Sequence, residues 1–517
     1  MTPKRRIILN VAATYGRSLY TLVVGLFCGR WALMALGEVD YGLYGLVGGL
    51  TAFVAFLNGL LSMAVGRFYA ISVGSLNRPG NELHGLEECR KWFNSALLMH
   101  TAIPVVLVAI GYPLGEWAVR HFLAIPSDRV MQCLWVWRFT CISCFSGMIN
   151  VPFSAMYNAK QEIAELTIYS FATTTFNALV LYYMITHPGE WLAKYAAYTM
   201  VISIVPQFII SWRALAKYKE CHFNYSYLWD KKRVCEICKF AMARFWTALS
   251  GIFSGQGNAI LVNKYLGPVF NASMAIGNTV GGHASTLSGA LSGAFWPAIV
   301  NKVGEGKTKE AIHMAFVTCR LGTVLVLIFA IPLMIEIDEV LTLWLKIPPE
   351  SVCMICVAFL LNSVLERMSE GYWMAIMGIG RGVPLYSLVV SLSGFSSFFI
   401  TWVLFGFEYG IEGVCIAILF ARLVAITVRL VLGRILIGMS IRYWLFKVCI
   451  PLAVASMFPA MLGVIVRYIC SPSFCRICIT TFVCESTFLP VIWLFVLEEG
   501  EKKYLVNKLR QIMPSHN

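Results

Sequence analysis

The chain has 517 residues, of which 58% are hydrophobic and 13% are charged, and its mean hydropathy is +0.72. Soluble proteins of this length carry roughly 25% charged residues, so the composition excludes a water-soluble globule. A membrane β-barrel is disfavoured, because barrel strands alternate polar and apolar residues and the apolar runs of this chain are continuous. The composition predicts an all-α protein that crosses a membrane many times.

The first apolar run lies close to the N-terminus, in "MTPKRRIILNVAATYGRSLYTLVVGLFCG". Its basic start resembles that of a signal sequence, but no small-residue cleavage site follows and Arg17 interrupts the apolar stretch. We therefore expect a retained first helix. Runs of roughly 20 apolar residues predict fourteen transmembrane helices, at about 7–31, 43–66, 92–116, 130–157, 164–186, 194–215, 240–262, 271–299, 312–335, 351–377, 383–405, 411–433, 445–466 and 475–497.

Lysine and arginine residues orient the predicted spans. With the N-terminus inside, and with residues within three positions of a span end counted in the adjoining segment, the inner segments hold 26 of the 41 basic residues, the outer segments 8 and the spans 7. Because positive charge is retained on the cytoplasmic side, this asymmetry predicts that both termini are cytoplasmic. It also accounts for the net charge of +14, which then lies beside anionic membrane lipids and does not indicate a nucleic-acid partner.

The hydrophilic segments are short. The longest, at about 216–239, separates the sixth span from the seventh, so no nucleotide-binding or catalytic domain is expected. "GEGKT" at 304–308 resembles the end of a phosphate-binding loop, but Asn301 occupies the required glycine position. Four CxxC pairs lack the additional ligands of a zinc site. No metal or cofactor is expected, and the predicted energy source is a gradient of H⁺, of Na⁺ or of the substrate.

The two halves of the chain align without a gap when one is shifted by 230 residues. Ten of the 39 positions in 36–74 are identical to those in 266–304. The shift spans six helices, which indicates a parallel repeat with a substrate site between two lobes. The predicted domains are a six-helix lobe at 1–215, a cytoplasmic linker at 216–239, a second six-helix lobe at 240–440, and helices 13 and 14 with a cytoplasmic tail at 441–517.

The repeat also bears on the acids of the first outer loop, "LGEVDYG". Glu38 and Asp40 could be proton sites inside the membrane, or they could mark a turn where the chain leaves the membrane and returns. The aligned segment "LGPVFNAS" has no acid. The comparison favours a turn, with glycines that allow tight re-entry and close helix packing.

Four stretches resemble the polysaccharide-transporter branch of the multidrug/oligosaccharidyl-lipid/polysaccharide (MOP) exporter superfamily, which includes the Wzx-type O-antigen flippases. They are "LGEVDYGLYGL" after the first span, "NGLLSMAVGRFYA" at 58–70, "NVPFSAMYNAKQE" at 150–162 and "SGAFWPAIVNKVGEGK" at 292–307. The resemblance covers spans 1 to 12. It implies two six-helix lobes in a MATE-like V around a central cavity, in a protein of the bacterial inner membrane.

The resemblance implies transport and not catalysis. The implied substrate is a polyprenyl-pyrophosphate-linked oligosaccharide, such as an O-antigen, capsule or exopolysaccharide repeat unit, which moves from the inner to the outer leaflet by alternating access. The implied pathway partners are glycosyltransferases and a polysaccharide polymerase. Helices 13 and 14 depart from this family and are similar to the additional helix pair of the peptidoglycan lipid II flippases, so the identity of the glycan stays open.

Charged side chains inside spans are costly and face a cavity or a partner. Seven arginines lie more than three residues inside the predicted spans, against three acids. Because the guanidinium fork suits phosphate, this excess favours a pyrophosphate head group over an organic cation. The alternative is that some of these arginines brace helices through acids or carbonyl groups. The predicted substrate-binding residues are Arg17, Arg138, Arg244, Arg320, Arg422, Asn258 and Asn278.

"NSVLERMSEGYW", at 362–373, is the acid-rich span. Glu366 and Glu370 lie four residues apart and share a helix face, an arrangement that suits reversible protonation. With His283 of the eighth span, they are the predicted ion-coupling residues. The alternative is a salt-bridge cluster that ties this helix to Arg422 or Arg429 of the twelfth span.

Two other functions compete with the flippase. A cation-coupled multidrug exporter of the same superfamily needs acids in its cavity, and spans 1 to 4 hold none apart from the edge residue Glu116. A membrane-bound glycan polymerase or ligase needs a sizeable outer loop with catalytic residues, and the predicted outer loops are short. The sequence therefore favours the lipid-linked oligosaccharide flippase.

Overall fold

The computed structural model describes residues 3–76, 82–160, 162–242, 245–304 and 306–502, and every regular element in these ranges is a helix. The α-helices of the described ranges are α1 (Pro3–Gly49), α2 (Ala52–Leu76), α3 (Glu82–Trp117), α4 (Val130–Ala159), α5 (Ile163–Thr186), α6 (Leu192–Lys217), α7 (Lys231–Met242), α8 (Phe245–Ile252), α9 (Asn258–Leu266), α10 (Pro268–Ala284), α11 (Thr286–Gly304), α12 (Thr308–Ile335), α13 (Ile337–Leu345), α14 (Val352–Ile379), α15 (Val383–Gly406), α16 (Ile411–Ile437), α17 (Ile441–Trp444), α18 (Ile450–Ile469) and α19 (Phe474–Val491). Single π-helical turns extend or join these helices at Ala118–Phe122, Phe253–Gly257, Leu445–Cys449 and Ile492–Val496.

Eleven helical stretches in the described part of the chain are long and apolar enough to cross a membrane. The protein is therefore a multi-pass membrane protein. Fourteen spans were predicted, and three of them are not among these eleven. In each of the three, the helix is interrupted; they are the predicted spans 43–66, 240–262 and 271–299. A turn at residues 50–51 separates α1 from α2, a π-helical turn joins α8 to α9, and Ser285 separates α10 from α11.

The sequence repeat is visible in the backbone. α1 is broken at Gly37 (φ 74°, ψ 173°), and Gly267 (φ 93°, ψ 179°) separates α9 from α10. The two glycines lie 230 residues apart and share a conformation that side-chain-bearing residues rarely adopt. The expected loop around "LGEVDYG" is therefore a break of one residue, and Glu38 and Asp40 begin the helical segment 38–49.

Packing divides the chain into two compact units. Unit 1 comprises Met1–Ala275 and Gly394–Ile411, and unit 2 comprises Ile276–Ser393 and Glu412–Asn517. Helix α9 thus packs with the first half of the chain, although the repeat assigns it to the second. The domain boundaries drawn from the sequence stay a prediction.

Unit 1 is built from long helix pairs. α1 packs on α5, α4 on α6, and α2 on α3 and α4. Apolar side chains fill the space between these helices, with Leu43, Leu134 and Trp137 in one buried cluster and Phe93 and Met156 in another. Because lipid tails are as apolar as these side chains, close van der Waals packing, and not transfer out of water, holds such helices together in a membrane.

The segment predicted as a linker, 216–239, is folded against unit 1. The Asn94 side chain donates to the His222 carbonyl (3.0 Å) and accepts from the Asn224 amide (2.9 Å). In α7, Arg233 pairs with Glu88 at 2.7 Å. Because these contacts recur along the segment, the linker is an ordered part of unit 1.

Unit 2 centres on α12, which packs against α11, α14, α18 and α19. The crossing of α12 and α14 is close, because a Cβ added at Gly371 would lie 1.9 Å from the Ala315 carbonyl oxygen. Gly371 therefore allows the two backbones to meet. At the next layer, a Cβ at Gly463 of α18 would lie 2.7 Å from the Cys484 sulfur of α19.

Candidate functional site

Two helices of unit 2 bring five charged side chains together. α14 carries Glu366, Arg367 and Glu370 within little more than one turn, and α16 carries Arg422 and Arg429, which are two turns apart. A spacing of three, four or seven residues places side chains on one side of a helix. These five residues are called the central charge cluster below.

Glu366 is the acceptor that joins α14 to α16. Its carboxylate lies 3.0 Å from Arg422 Nη2 and 3.5 Å from Arg429 Nη2. Each arginine has a second partner on α14, since Arg422 Nε donates to Asn362 Oδ1 (2.8 Å) and Arg429 Nη1 donates to Ser369 Oγ (3.1 Å). The salt-bridge cluster considered from the sequence is thus present.

Glu370 has partners of its own. Arg367 Nη1 lies 2.5 Å from Glu370 Oε2, and the Ser292 hydroxyl of α11 donates to the same oxygen at 2.8 Å. Glu366 and Glu370 share a helix face, as predicted, but each carboxylate is bound to a different arginine. Their role in ion coupling stays a prediction.

The central charge cluster carries more positive than negative charge. Three guanidinium groups meet two carboxylates, so the five residues sum to +1 when all are ionised. The Nε atoms of Arg367 and Arg429 are buried and have no hydrogen-bond partner among the described residues. The Glu366 side chain is 38% exposed. Buried donors without an acceptor are costly, so the cluster is suited to accept an additional anion.

A groove lies on the opposite face of α14. Its volume is about 1010 Å³, and α12, α14 and α18 line it. Val364 and Met368 of α14 face this groove, and each is two residues from Glu366, or about 200° around the helix. Most of the lining is apolar, as at Leu327 and Ala460. No sequence pattern indicates this groove, because its walls come from helices that are distant in the chain.

One end of the groove is charged. Arg476 Nη2 lies 2.8 Å from Glu336, and Arg467 Nη2 lies 2.7 Å from Asp338. The hydrogen bond from the Cys353 thiol holds the pKa of the Asp338 carboxyl below its usual value, and the charge of Arg467 adds to this effect against the opposing effect of burial. The arginines at this end are therefore already neutralised by acids.

Solved structures resemble the chain, whereas no family model and no curated protein matches it. A structure described as the lipid II flippase MurJ in an inward closed conformation has a TM-score of 0.64, at 14% identity over 94% of this chain and 98% of that one. An outward-facing multidrug resistance MATE family transporter of the MOP superfamily has a TM-score of 0.58, at 13% identity over 84% and 96%. A MOP superfamily transporter from Pyrococcus furiosus has a TM-score of 0.54, at 14% identity over 84% and 96%.

The chain therefore has the same fold as these MurJ and MATE transporter structures. This confirms the predicted all-α, MATE-like fold class. The likenesses do not distinguish the polysaccharide-transporter branch from the other branches. The match to the lipid II flippase covers a tenth more of this chain than the match to the MATE transporter, which is about the length of α17 to α19.

Arg138, a predicted substrate ligand, has an acid partner. Its Nη2 lies 2.9 Å from Glu116 Oε1, and the Tyr112 hydroxyl donates to the same oxygen at 2.9 Å. The guanidinium also lies over the Trp135 ring, 4.9 Å from its centre. The edge acid noted in the sequence thus neutralises the arginine on the neighbouring helix.

Arg320 is fully buried in unit 2. Its guanidinium lies 3.1 Å from Glu498 and 2.7 Å from Glu501, and it donates to the Lys447 carbonyl at 3.3 Å. In this conformation the C-terminal end of the described chain encloses the arginine. No surface of Arg320 is open to a head group.

The other predicted ligands are dispersed. Arg17 is half-buried in α1 and forms no ion pair with a described residue. Arg244 lies outside the described residues. Asn258 is fully buried and donates to the Ser254 carbonyl and to the Ser397 hydroxyl, each at 3.0 Å. Two others lie on α10, where Asn278 is exposed and His283 is half-buried.

Proposed function

We propose that this protein is a flippase that moves a polyprenyl-pyrophosphate-linked oligosaccharide from the inner to the outer leaflet of the bacterial cytoplasmic membrane by alternating access. The observation that carries the proposal is the net positive charge of the central charge cluster inside a membrane-spanning unit. Pyrophosphate is a bidentate acceptor that suits the guanidinium donors. A cationic drug would be repelled by the same charge.

The groove supports a lipid-linked substrate. Its volume of about 1010 Å³ is at the upper end for a small-molecule pocket, and its apolar walls offer a place for part of the polyprenyl tail. In this proposal the tail lies in the groove or in the bilayer, and the head group binds on the other side of α14. Arg422 is the proposed head-group ligand of the central charge cluster.

The remaining predicted residues keep proposed roles. Arg17 and Arg244, from the first predicted span of each half, stay in the proposed substrate-binding set. Arg138 and Arg320 would bind substrate in a conformation that releases them from their acids. Asn258 and Asn278 would contact the glycan and, with the head-group arginines, form the proposed substrate-binding set. The proposed ion-coupling residues, for H⁺ or Na⁺, are Glu366, Glu370 and His283.

A lipid II-type flippase is the second candidate. The structure described as a lipid II flippase is similar over 94% of this chain, a span that exceeds the likeness to the MATE transporter. The two candidates share the polyprenyl pyrophosphate and differ in the attached sugars. If the substrate is a polysaccharide repeat unit, glycosyltransferases would supply it inside and a polymerase would consume it outside, with both termini of this protein cytoplasmic.

Translocation in proteoliposomes tests the proposal. The full chain is reconstituted, and a fluorescent polyprenyl-pyrophosphate oligosaccharide or lipid II is quenched from one side. Arg422→Gln should lower the translocation rate by at least about tenfold, because one charge-assisted contact to phosphate contributes roughly 1.5–3 kcal/mol. Arg434→Gln is the matched control, since Arg434 is exposed on the same helix and forms no ion pair with a described residue.

The outcomes separate the candidates. Translocation of the oligosaccharide lipid but not of lipid II supports the first candidate, and the reverse result supports the second. Equal rates for wild type and Arg422→Gln would reject the proposed head-group site. Accumulation of an organic cation, with neither lipid moved, would establish the multidrug exporter instead.

A further inference from the structure

The groove of unit 2 has a second end, opposite to the charged end at Asp338. Along α12 the residues that line the groove begin at Thr323, and along α18 they begin at Leu452. In the orientation that the charge pattern of the sequence predicts, both helices begin on the inner side of the membrane. This end, called the inner end below, is therefore predicted to face the cytoplasmic leaflet.

Arg320 lies directly beyond the inner end. It precedes Thr323 by three residues, which places both side chains on one face of α12. Its guanidinium donates to the Lys447 carbonyl at 3.3 Å, in the turn that leads into α18. Three residues earlier, the indole nitrogen of Trp444 donates to the carbonyl of Met368, a residue of α14 that also lines the groove (2.6 Å). The three helices that line the groove thus continue to the surroundings of Arg320.

Two carboxylates from segment 498–502, which follows the last π-helical turn, cover Arg320. Glu498 lies 3.1 Å from its Nη1, and Glu501 lies 2.7 Å from its Nη2. The Glu498 carboxylate also accepts from the Tyr443 hydroxyl at 2.6 Å, and the Glu501 carboxylate accepts from the Glu498 amide at 2.8 Å. Segment 498–502 with these contacts is called the C-terminal latch below.

The C-terminal latch leaves charge and hydrogen-bonding capacity unbalanced. One guanidinium meets two carboxylates, so Arg320, Glu498 and Glu501 sum to −1 when all are ionised. The Arg320 side chain is fully buried, and its Nε atom has no acceptor among the described residues. Excess charge and an unpaired donor are both costly in a buried site. The latch is therefore less stable than a matched ion pair, and it is suited to release.

The donors beneath the C-terminal latch suit a phosphate group, because phosphate oxygens accept from guanidinium groups in the same way as carboxylate oxygens. Without segment 498–502, the Arg320 fork and the Tyr443 hydroxyl would be free to bind phosphate. Glu498 and Glu501 present two anionic groups to one guanidinium, as the two phosphates of a pyrophosphate would. The adjoining groove is lined by apolar side chains such as Leu327. The ligand class that fits both features is a pyrophosphate joined to an isoprenyl chain.

We propose that Arg320 is the first binding site for the pyrophosphate of the lipid-linked substrate, and that the C-terminal latch inhibits the transporter by occupying this site. Glu498 and Glu501 stand in for the two phosphates until a lipid of the cytoplasmic leaflet displaces them. The lipid tail then enters the inner end of the groove, beside Arg320. The inference rests on the proposed flippase function and adds to it a loading site that the chain's own C-terminal segment regulates.

Equilibrium binding of radiolabelled farnesyl pyrophosphate to the full chain in nanodiscs of neutral lipid tests the proposal. The parent and every variant carry Arg422→Gln, which removes the proposed head-group ligand of the central charge cluster and isolates the second site. Glu498→Gln/Glu501→Gln should bind at least about tenfold more tightly than the parent. The reason is that a latch closed about nine-tenths of the time lowers the apparent affinity about tenfold.

Two further variants locate this gain in affinity. Glu499→Gln is the matched control, because it removes one charge from the same segment but its side chain is 79% exposed and pairs with Lys502; its affinity should equal that of the parent. Arg320→Gln, added to Glu498→Gln/Glu501→Gln, should abolish the gain. The three substituted side chains are neutral, so no buried charge is left unpaired and we expect the variant to fold.

Two more measurements identify the ligand. Ser456→Trp, which fills the groove one turn beyond Leu452, should abolish the gain for farnesyl pyrophosphate and retain it for inorganic pyrophosphate. A farnesyl gain that survives Ser456→Trp would overturn the entry of the tail into the groove. Replacement of part of the neutral lipid by phosphatidylglycerol should leave the gain unchanged. Loss of the gain would show that an anionic phospholipid occupies the site, and would overturn the loading role.

Parent affinity in folded Glu498→Gln/Glu501→Gln would overturn the proposal, and so would a gain that survives Arg320→Gln. If size-exclusion chromatography shows that the double variant aggregates, Glu501→Gln decides alone, with an expected gain of at least about threefold. The binding readout needs no transport, so the two proposals fail separately. The expected gain without translocation of any lipid would keep the loading site and reject the flippase, whereas translocation without the gain would do the reverse.

Discussion

Glu366→Gln removes the charge that holds α14 to α16 and leaves the shape of the side chain unchanged. In the wild type, one carboxylate accepts from Arg422 and Arg429. The substitution leaves both guanidinium groups with neutral acceptors only, Asn362 and Ser369. The charge of the central charge cluster rises from +1 to +2. We expect a less stable protein that still folds.

The size of the effect follows from the contact geometry. Two unit charges 3.0 Å apart attract by about 5 kcal/mol at an effective dielectric constant of ~20. The Glu366 side chain is 38% exposed, so solvent screens part of this attraction. Glutamine also keeps hydrogen bonds that are worth about 1 kcal/mol. The expected loss is therefore about 2 kcal/mol, less than the roughly 3–5 kcal/mol for breaking a fully buried pair.

A double-mutant cycle measures this interaction. Unfolding free energies in detergent micelles are compared for wild type, Glu366→Gln, Arg422→Gln and the double variant, and the double variant should lose at least about 1 kcal/mol less than the sum of the singles. Glu412→Gln, an exposed acid on α16, should leave the free energy unchanged. Additivity within about 0.5 kcal/mol would refute the pairing. A stable Glu366→Gln variant that has lost dependence on an ion gradient would instead favour the coupling role.

Two further predictions concern the C-terminal part of unit 2. Burial raises the pKa of the Glu498 carboxyl, but the Tyr443 hydroxyl and the charge of Arg320 outweigh burial and hold this pKa below its usual value. The ionised carboxylate therefore stabilises the fold at any pH above the ordinary pKa of glutamate. This contribution is lost as the pH falls through the lower pKa of the folded protein. Lowering the pH from neutral to about 3, below the ordinary glutamate pKa of about 4.3, should reduce the thermal midpoint of the wild type more than that of Glu498→Gln, and equal reductions would contradict this contact. In the groove, Ala460→Trp should slow lipid translocation by at least about tenfold, whereas Val454→Trp, on the exposed face of the same helix, should leave the rate unchanged. Equal translocation rates for Ala460→Trp and the wild type would exclude the groove from the transport path.

The repeat was the most informative feature of the sequence, because it fixes backbone conformation at two places. Gly37 and Gly267 align at the shift of 230 residues, and both adopt a positive φ with an extended ψ. Among the amino acids, glycine alone adopts such a conformation readily. A pair of glycines at equivalent positions of a repeat therefore indicates a helix break at both places. The extent of the helices around these glycines was not predicted correctly, because the expected loop at 36–42 is a break of one residue at Gly37.

Pairs of buried charges could be predicted only where the charged residues of one helix lie on a single face and an acid lies at a similar depth in a neighbouring helix. Arg422 and Arg429 are two turns apart and Glu366 was the acid in reach, so their salt bridge was among the alternatives. Arg320 differs, because its partners Glu498 and Glu501 lie 178 and 181 residues away. No periodicity connects such positions. An unpaired arginine in the sequence is therefore a weak indicator of a ligand.

The two repeats join their fourth and sixth helices through different kinds of side chain. In the first half, the fourth and sixth helices are joined by a neutral amide, as Asn150 Nδ2 donates to the Gln207 carbonyl (2.7 Å) and to the Ser211 hydroxyl (2.9 Å). In the second half, the fourth and sixth helices are α14 and α16, joined by Glu366 and two arginines. A neutral bridge lets α4 and α6 pack tightly, whereas long charged side chains hold α14 and α16 apart and create a polar surface. The second half of the repeat therefore holds a net positive helix pair at the position where the first half holds a neutral one.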